Sequence, residues 1–337
     1  MEAVPSRIIR QIIIIVVLGI VGSLIFYELL PYLSGFLGAI TLYILLKKPM
    51  KTLKDRGWKT SLAASLLIFL SFIGVLFPIL GITLMLSNKL DNAVSNAEKL
   101  FSALQKHIIK FENTFGHDFY KDLDVAGGTS WVGENAKVLI GSTFELVIAI
   151  SIMYFLLYFM LTKPKQLRES IYNYGPFAEK HVKTLVKESS KMIRSNALGI
   201  PIVAFAQGIV ALIGFLIFGI ENSLFWFVIV VIGSMIPFAG TLVGIIPVFL
   251  ITLASGNDYA AYGILIYGLV VVGSTDNIIR LYVLKKMDDV HPLITLIGVI
   301  IGIPLFGFIG LIFGPITISL FFIILKMYKI EYVDKKV

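Results

Sequence analysis

Two apolar runs of this chain are punctuated alike: Ile236-Pro237-Phe238-Ala239-Gly240 (IPFAG) and Ile303-Pro304-Leu305-Phe306-Gly307 (IPLFG). Proline lacks the backbone donor a helix interior needs, and glycine tolerates sharp reversals. Each run, 224–254 and 292–325, is about 31–34 residues long, too short for two full membrane crossings at roughly 20 residues each. Two short helical arms meeting at a Pro/Gly tip fit that length. One kinked helix in each run is the alternative, since proline kinks are common in membrane helices.

The composition supports a membrane setting. The 337 residues are 57% hydrophobic and 15% charged, with a mean hydropathy of +0.90, whereas a soluble domain carries about 25% charge. Apolar runs fall near 8–30, 33–46, 61–86, 138–161, 198–218, 224–254, 259–279 and 292–325. The first is longer than a signal-peptide core and reads as a retained span. Without cysteine there is no disulfide or thiolate metal site. The net charge of +8 reads as basic cytoplasmic loops rather than as a nucleic-acid surface.

Charge sets the expected topology. Segment 47–60 has six basic residues and one acidic, and 163–196 has eight basic and three acidic. Loop 280–291 and the tail with Lys326, Lys329, Lys335 and Lys336 are also basic. The positive-inside rule places these, with the N-terminal Arg7 and Arg10, in the cytoplasm, and leaves 87–137 outside. Spans one and two then form a hairpin. Runs 224–254 and 292–325 must each return to the side they left, so both are expected to be re-entrant, entering from opposite faces. Pro247 and Pro315 follow the two tips at similar distances. The expected fold is an all-α integral membrane protein of about eight membrane segments, with two re-entrant helical hairpins in an inverted repeat. Residues 1–162 form a membrane scaffold of spans one to four, 163–196 a cytoplasmic amphipathic segment, 197–327 the inverted-repeat region and 328–337 a cytoplasmic tail.

Paired interrupted helices point to a transport site near the bilayer midplane. Each tip presents one helix C-terminus and one N-terminus, and so partial charges of both signs. Candidate solute- or ion-binding residues are Pro237, Gly240, Pro304 and Gly307 at the tips, and Gln207, Asp276, Asn277 and Arg280 in the flanking spans. Asp276 and Arg280 stand i,i+4 on one helix face and can pair; the plainer reading is a helix end with Arg280 snorkelling to the interface. Gln207 binds solute or hydrogen-bonds a neighbouring helix. In the outer segment, Leu90, Val94, Ala97, Phe101, Leu104, Ile108, Phe111 and Phe115 make a heptad seam, within an amphipathic helix over 87–116 that packs on a partner or lies on a surface. Val182, Leu185, Val186, Met192 and Ile193 form a stripe among basic residues, which suits a helix at the inner leaflet.

No P-loop, HExxH or GxSxG pattern is present, which argues against an enzyme. The four histidines are scattered through loops, which argues against a metal site. No cofactor is expected. Together, Gln207-Gly208, IPFAGTLVGIIP (236–247), DNIIR (276–280), HPLITLIGVIIGIPLFGFIGLIFGP (291–315) and the basic stretch before span five resemble the autoinducer-2 exporter family of permeases. Leu281 departs from the family's frequent proline after the arginine. The resemblance implies about eight membrane segments, homo-oligomers (pentamers among relatives), residence in the cell membrane and export of small solutes. Other relatives are sodium(lithium)/proton antiporters, which the resemblance keeps open beside a small-molecule exporter. A passive channel or a non-transporting scaffold is the remaining reading.

Overall fold

A computed structural model describes residues 6–87, 143–167, 169, 179–236, 240–275, 278 and 292–329. Every regular element among them is helical. In chain order they are α1 (Ser6–Leu29), α2 (Leu33–Asp55), α3 (Thr60–Ser87), α4 (Thr143–Thr162), α5 (Glu179–Ile217), α6 (Ser223–Gly233), α7 (Gly240–Ala254), α8 (Asp258–Tyr267), α9 (Pro292–Phe306) and α10 (Gly310–Tyr328). Five described stretches are long and apolar enough to cross a membrane: Arg10–Asp55, Thr60–Phe77, His181–Ile217, Asp258–Thr275 and Leu293–Tyr328. Three shorter apolar helices accompany them: Val147–Thr162, Ser223–Gly233 and Gly240–Ala254. The proposed helix over 87–116 lies outside the described residues.

α2, α3 and α4 form the first bundle. Gly35 lies against the Ala149 backbone and Gly38 against Met153, so α2 and α4 run in the same direction. A Cβ on Gly35 would sit 2.5 Å from the Ala149 carbonyl oxygen; the two helices therefore meet backbone to backbone, as small residues allow in membranes. α3 returns between them after a turn at Gly57, whose φ of +84° is open to glycine. Ala39, Met50, Ala63, Ala64, Leu67, Leu157 and Leu161 fill the shared core. This arrangement brings the basic loop 47–60 and Lys163 to one end of the molecule, here called the basic end.

α1 departs from expectation. The sequence suggests that it forms a hairpin with α2. Instead the 3-10 turn Leu30–Tyr32 joins them with Leu29 (φ −84°, ψ −17°) and Leu33 (φ −60°, ψ −34°) both in right-handed helical conformation, and every described side chain of α1 is exposed. Among the described residues, none buries an α1 side chain.

α5 holds the second half together. The basic stripe over 179–196 is continuous with span five in one helix of 39 residues. Its Val182 and Ile193 are buried in the protein, Ile193 against Phe313 and Ile316, so the stripe faces protein as well as the expected lipid surface. From the turn at Gly219 (φ +63°) and Asn222 (φ +54°), α6 runs back down α5, with Gly208 accommodating Val231 and Phe227. α7 then rises along α6, and Gly244 receives Val230. α8 descends again: Ile245 fits Gly268, and Tyr267 and Ile264 fit Gly214 of α5.

The second helical pair turns at Gly307 (φ +62°). The interruption falls at Gly307, the glycine of the IPLFG tip: α9 continues through Pro304 to Phe306 before the 3-10 turn Gly307–Ile309. Gly298 touches Pro315 and Gly314, and Gly302 touches Gly310 and Gly314, so α9 and α10 lie with backbones in contact. α10 runs antiparallel to lower α5, where the Asn196 side-chain amide donates to the Ile312 carbonyl at 3.3 Å. Leu37, Ile40 and Ile44 of α2 close this packing from the other side.

These directions give each pair its own end. Both outer ends of α6–α7, at 219–222 and 255–257, lie at the C-terminal end of α5. The outer ends of α9–α10 lie toward its N-terminal end.

Candidate functional site

The pairings along α5 and α8 converge on one level of the C-terminal half. Phe218 meets Gly263, and Gly214 meets Tyr267; the Tyr267 hydroxyl donates to the Val210 carbonyl at 3.0 Å. Continued two helical turns down α5 from Gly214, this antiparallel register brings Gln207 level with Ser274, just past the π-helical segment Gly268–Val272. The same register along α7 and α8, set by Ile245 at Gly268 and by the Phe249–Tyr262 ring pair at 5.8 Å, brings Gly240 to the end of that segment. π-bulges are uncommon and gather at functional sites.

Three features of this level are polar in apolar surroundings. Gln207 is 2% exposed, and no hydrogen bond to its amide is among the described ones. Ser234, in the turn after α6, is 6% exposed, and its hydroxyl has no hydrogen-bond partner among the described residues. The third is the break itself: α6 ends at Gly233 and α7 begins at Gly240, so helix ends of both polarities meet there. Gly240 is buried against Gly233 and Ser234, where any Cβ would collide with backbone.

Ser234 departs from the chain's own habit, as Ser319 in α10 does. The hydroxyls of Thr41, Ser151, Thr162, Ser189, Thr275 and Thr317 all donate to the carbonyl four residues earlier. That bond hides a hydroxyl in an apolar helix. Ser234 forgoes it, and a buried unpaired hydroxyl costs roughly 1–3 kcal/mol. Towards the end opposite the basic one, the site is closed by Ala211, Phe215, Val230, Ile245, Val248, Ile264 and Val272.

Of the residues singled out in the sequence, Gln207 and Gly240 fall near this level by helix register, and Gly240 packs on Gly233 and Ser234. Pro304 and Gly307 belong to the second tip, which packs on α2 and the cluster around Ile193 and Phe313. Pro237, Asp276, Asn277 and Arg280 lie outside the described residues. Ser234 was missed, because one serine in an apolar run is ordinary and only the missing bond marks it. The close-contact glycines were legible as small residues four apart: Gly240 and Gly244, Gly298 and Gly302, Gly310 and Gly314.

Comparison with known proteins fits this architecture. A family model described as AI-2E family transporter matches residues 13–330. The chain is 25% identical to "Putative transport protein PH1000" of Pyrococcus horikoshii, over 96% of this chain and 89% of that protein. It is 22% identical to a "Putative transport protein" of Aquifex aeolicus, over 59% of this chain and 57% of that one. With "Putative transport protein Rv1101c" of Mycobacterium tuberculosis it shares 25% identity, over 60% of this chain and 52% of the relative. The match thus spans little more than half the length of the latter two.

Proposed function

The chain belongs to the AI-2E transporter family, and from that premise we propose that it is a secondary transporter whose solute crosses at the level of Gln207, Ser234 and Gly240. It is a multi-pass membrane protein, and family membership makes it a membrane transporter. The observation that carries the finer reading is the polar pair at a broken helix: a buried amide and an unpaired buried hydroxyl, where hydrocarbon penalises both.

In this reading the basic end faces the cytoplasm. α6–α7 dips in from the outside and α9–α10 from the inside, making two re-entrant hairpins of an inverted repeat. Arm lengths support it. α6 has 11 residues and α7 has 15, about 16 Å and 22 Å of helix against a hydrocarbon core of about 30 Å. A bend at Pro31, away from the helical continuity of Leu29 to Leu33, returns Arg7 and Arg10 to the cytoplasm. The hairpin half then moves against α2–α4, exposing the site to each side in turn. The substrate class we favour is a small polar solute that is exported, such as an autoinducer-2-like signalling metabolite, by homo-oligomers in the cell membrane.

A sodium(lithium)/proton antiporter is the second reading. The C-terminus of α6, with the Ser234 hydroxyl beside it, offers oxygens that suit a small cation. Counterflow in proteoliposomes separates the readings. Saturable solute exchange is expected; proton flux driven by a sodium gradient supports the antiporter, and non-saturating flux overturns carrier-type transport. In the antiporter outcome, an Asp276→Asn variant with unchanged sodium and pH dependence removes Asp276 from the mechanism.

A further inference from the structure

Where α5 ends and α8 begins, a groove of about 680 Å³ opens on the flank of the C-terminal half. Its mouth is lined by Phe218, Asp258, Tyr259 and Tyr262, and its length by aliphatic side chains including Ile266 and Val270. The Phe218 ring lies 6.4 Å from that of Tyr259. Tyr259 is 84% exposed, and Asp258 is the first residue of α8, just past the polar turn that ends the membrane run. Aromatic rings and a carboxylate therefore stand at the level of lipid headgroups. The aliphatic wall runs down α8 to Val271, thirteen residues or about 20 Å, which is deeper than half of a core about 30 Å thick.

We propose that this groove holds one bilayer phospholipid bearing a primary amine, a phosphatidylethanolamine. Its ammonium sits among the Phe218, Tyr259 and Tyr262 rings and donates to the Asp258 carboxylate, and one acyl chain lies along Ile266 and Val270. Ring faces attract a cation, and a charge-assisted hydrogen bond to the carboxylate distinguishes an ammonium from a choline, which has no N–H to donate. Among the described residues no basic side chain lines the groove, so they offer an anionic headgroup no partner. A second copy of the same surface is disfavoured as the occupant. The charged residues of 219–222 and 255–258 are Glu221 and Asp258, both acidic, and a rotated copy would oppose like charges. The proposal does not depend on what the protein transports.

The test is native mass spectrometry of the full chain, released from membranes containing equal phosphatidylethanolamine, phosphatidylcholine and phosphatidylglycerol with the same acyl chains. The expected result is a roughly five-fold enrichment of phosphatidylethanolamine among retained lipids. Asp258→Asn and Tyr259→Ala should each remove it, whereas Asp55→Asn, at the basic end, should leave it intact. Both test positions are solvent-exposed, and an unchanged melting temperature would show the variants folded. Equal retention of the three lipids, or enrichment that survives Asp258→Asn, overturns the proposal. So does efficient disulfide-linked dimer formation by Tyr262→Cys without lipid enrichment, which would assign the groove to a second copy.

Discussion

Replacing Gly302 or Gly310 by leucine is expected to unfold the second hairpin and to abolish transport with it. A Cβ on Gly302 would stand 2.5 Å from the Gly310 carbonyl oxygen, and one on Gly310 would fall onto the Gly302 backbone. The obstacle is main chain, which no rotamer change can move aside. The arms would have to separate by more than a methyl group along their whole contact. That would also strip Phe313 and Ile316 from Ile193 and strain the bond from Asn196 to the Ile312 carbonyl. Overpacking a close contact costs typically 1–3 kcal/mol and more when backbone must shift, so about 3 kcal/mol or more is expected for each variant in a denaturant melt. Gly19→Leu and Gly22→Leu provide the control. Nothing lies within 4 Å of either added Cβ, so their melts should match the parent.

Gln207→Leu and Ser234→Ala are expected to separate stability from function. Gln207 is 2% exposed and Ser234 is 6% exposed. A side chain kept for packing or helix pairing destabilises the protein when removed. Removing the Ser234 hydroxyl relieves a polar group left without a partner among the described residues, so Ser234→Ala should melt at the parent temperature or above it, by about 1 kcal/mol; Gln207→Leu exchanges a buried amide for an apolar side chain of similar size and should keep the parent melt. Transport should fall about ten-fold or more, because a desolvated solute loses a hydrogen-bond partner. The loss should appear mainly in the apparent KM. Both variants transporting normally would leave the buried pair without a role.

Much of the fold was legible because membrane solvation leaves few choices. The apolar runs, the basic loops and the IPFAG and IPLFG interruptions follow from the backbone's need to satisfy its hydrogen bonds in lipid. The packing of Gly35 on Ala149 makes α2 and α4 parallel, and that of Asn196 on Ile312 makes α10 antiparallel to lower α5, both compatible with the ends that the loop charges group together. One feature was not legible: α1 continues into α2 in helical conformation through Leu30–Tyr32, and hydropathy carries no information on angles. The second break at Gly307 lies within the IPLFG tip and follows from glycine's access to positive φ; proline at 304 costs the helix one donor but does not reverse it. Of the candidate site, the amide of Gln207 was visible as a polar residue in a span. Ser234 became visible only through its missing bond to Val230.

The account rests on α6–α7 and α9–α10 entering the membrane from opposite faces, and a chain without cysteine permits a direct measurement. Single cysteines at Glu221, Ser255, Lys54 and Lys329, all exposed, can be probed in sealed vesicles with a membrane-impermeant maleimide. The expected result is that Glu221→Cys and Ser255→Cys label from one face, and Lys54→Cys and Lys329→Cys only from the other. Labelling of Glu221→Cys and Ser255→Cys from different faces would mean that α6–α7 crosses the bilayer, and would contradict the account.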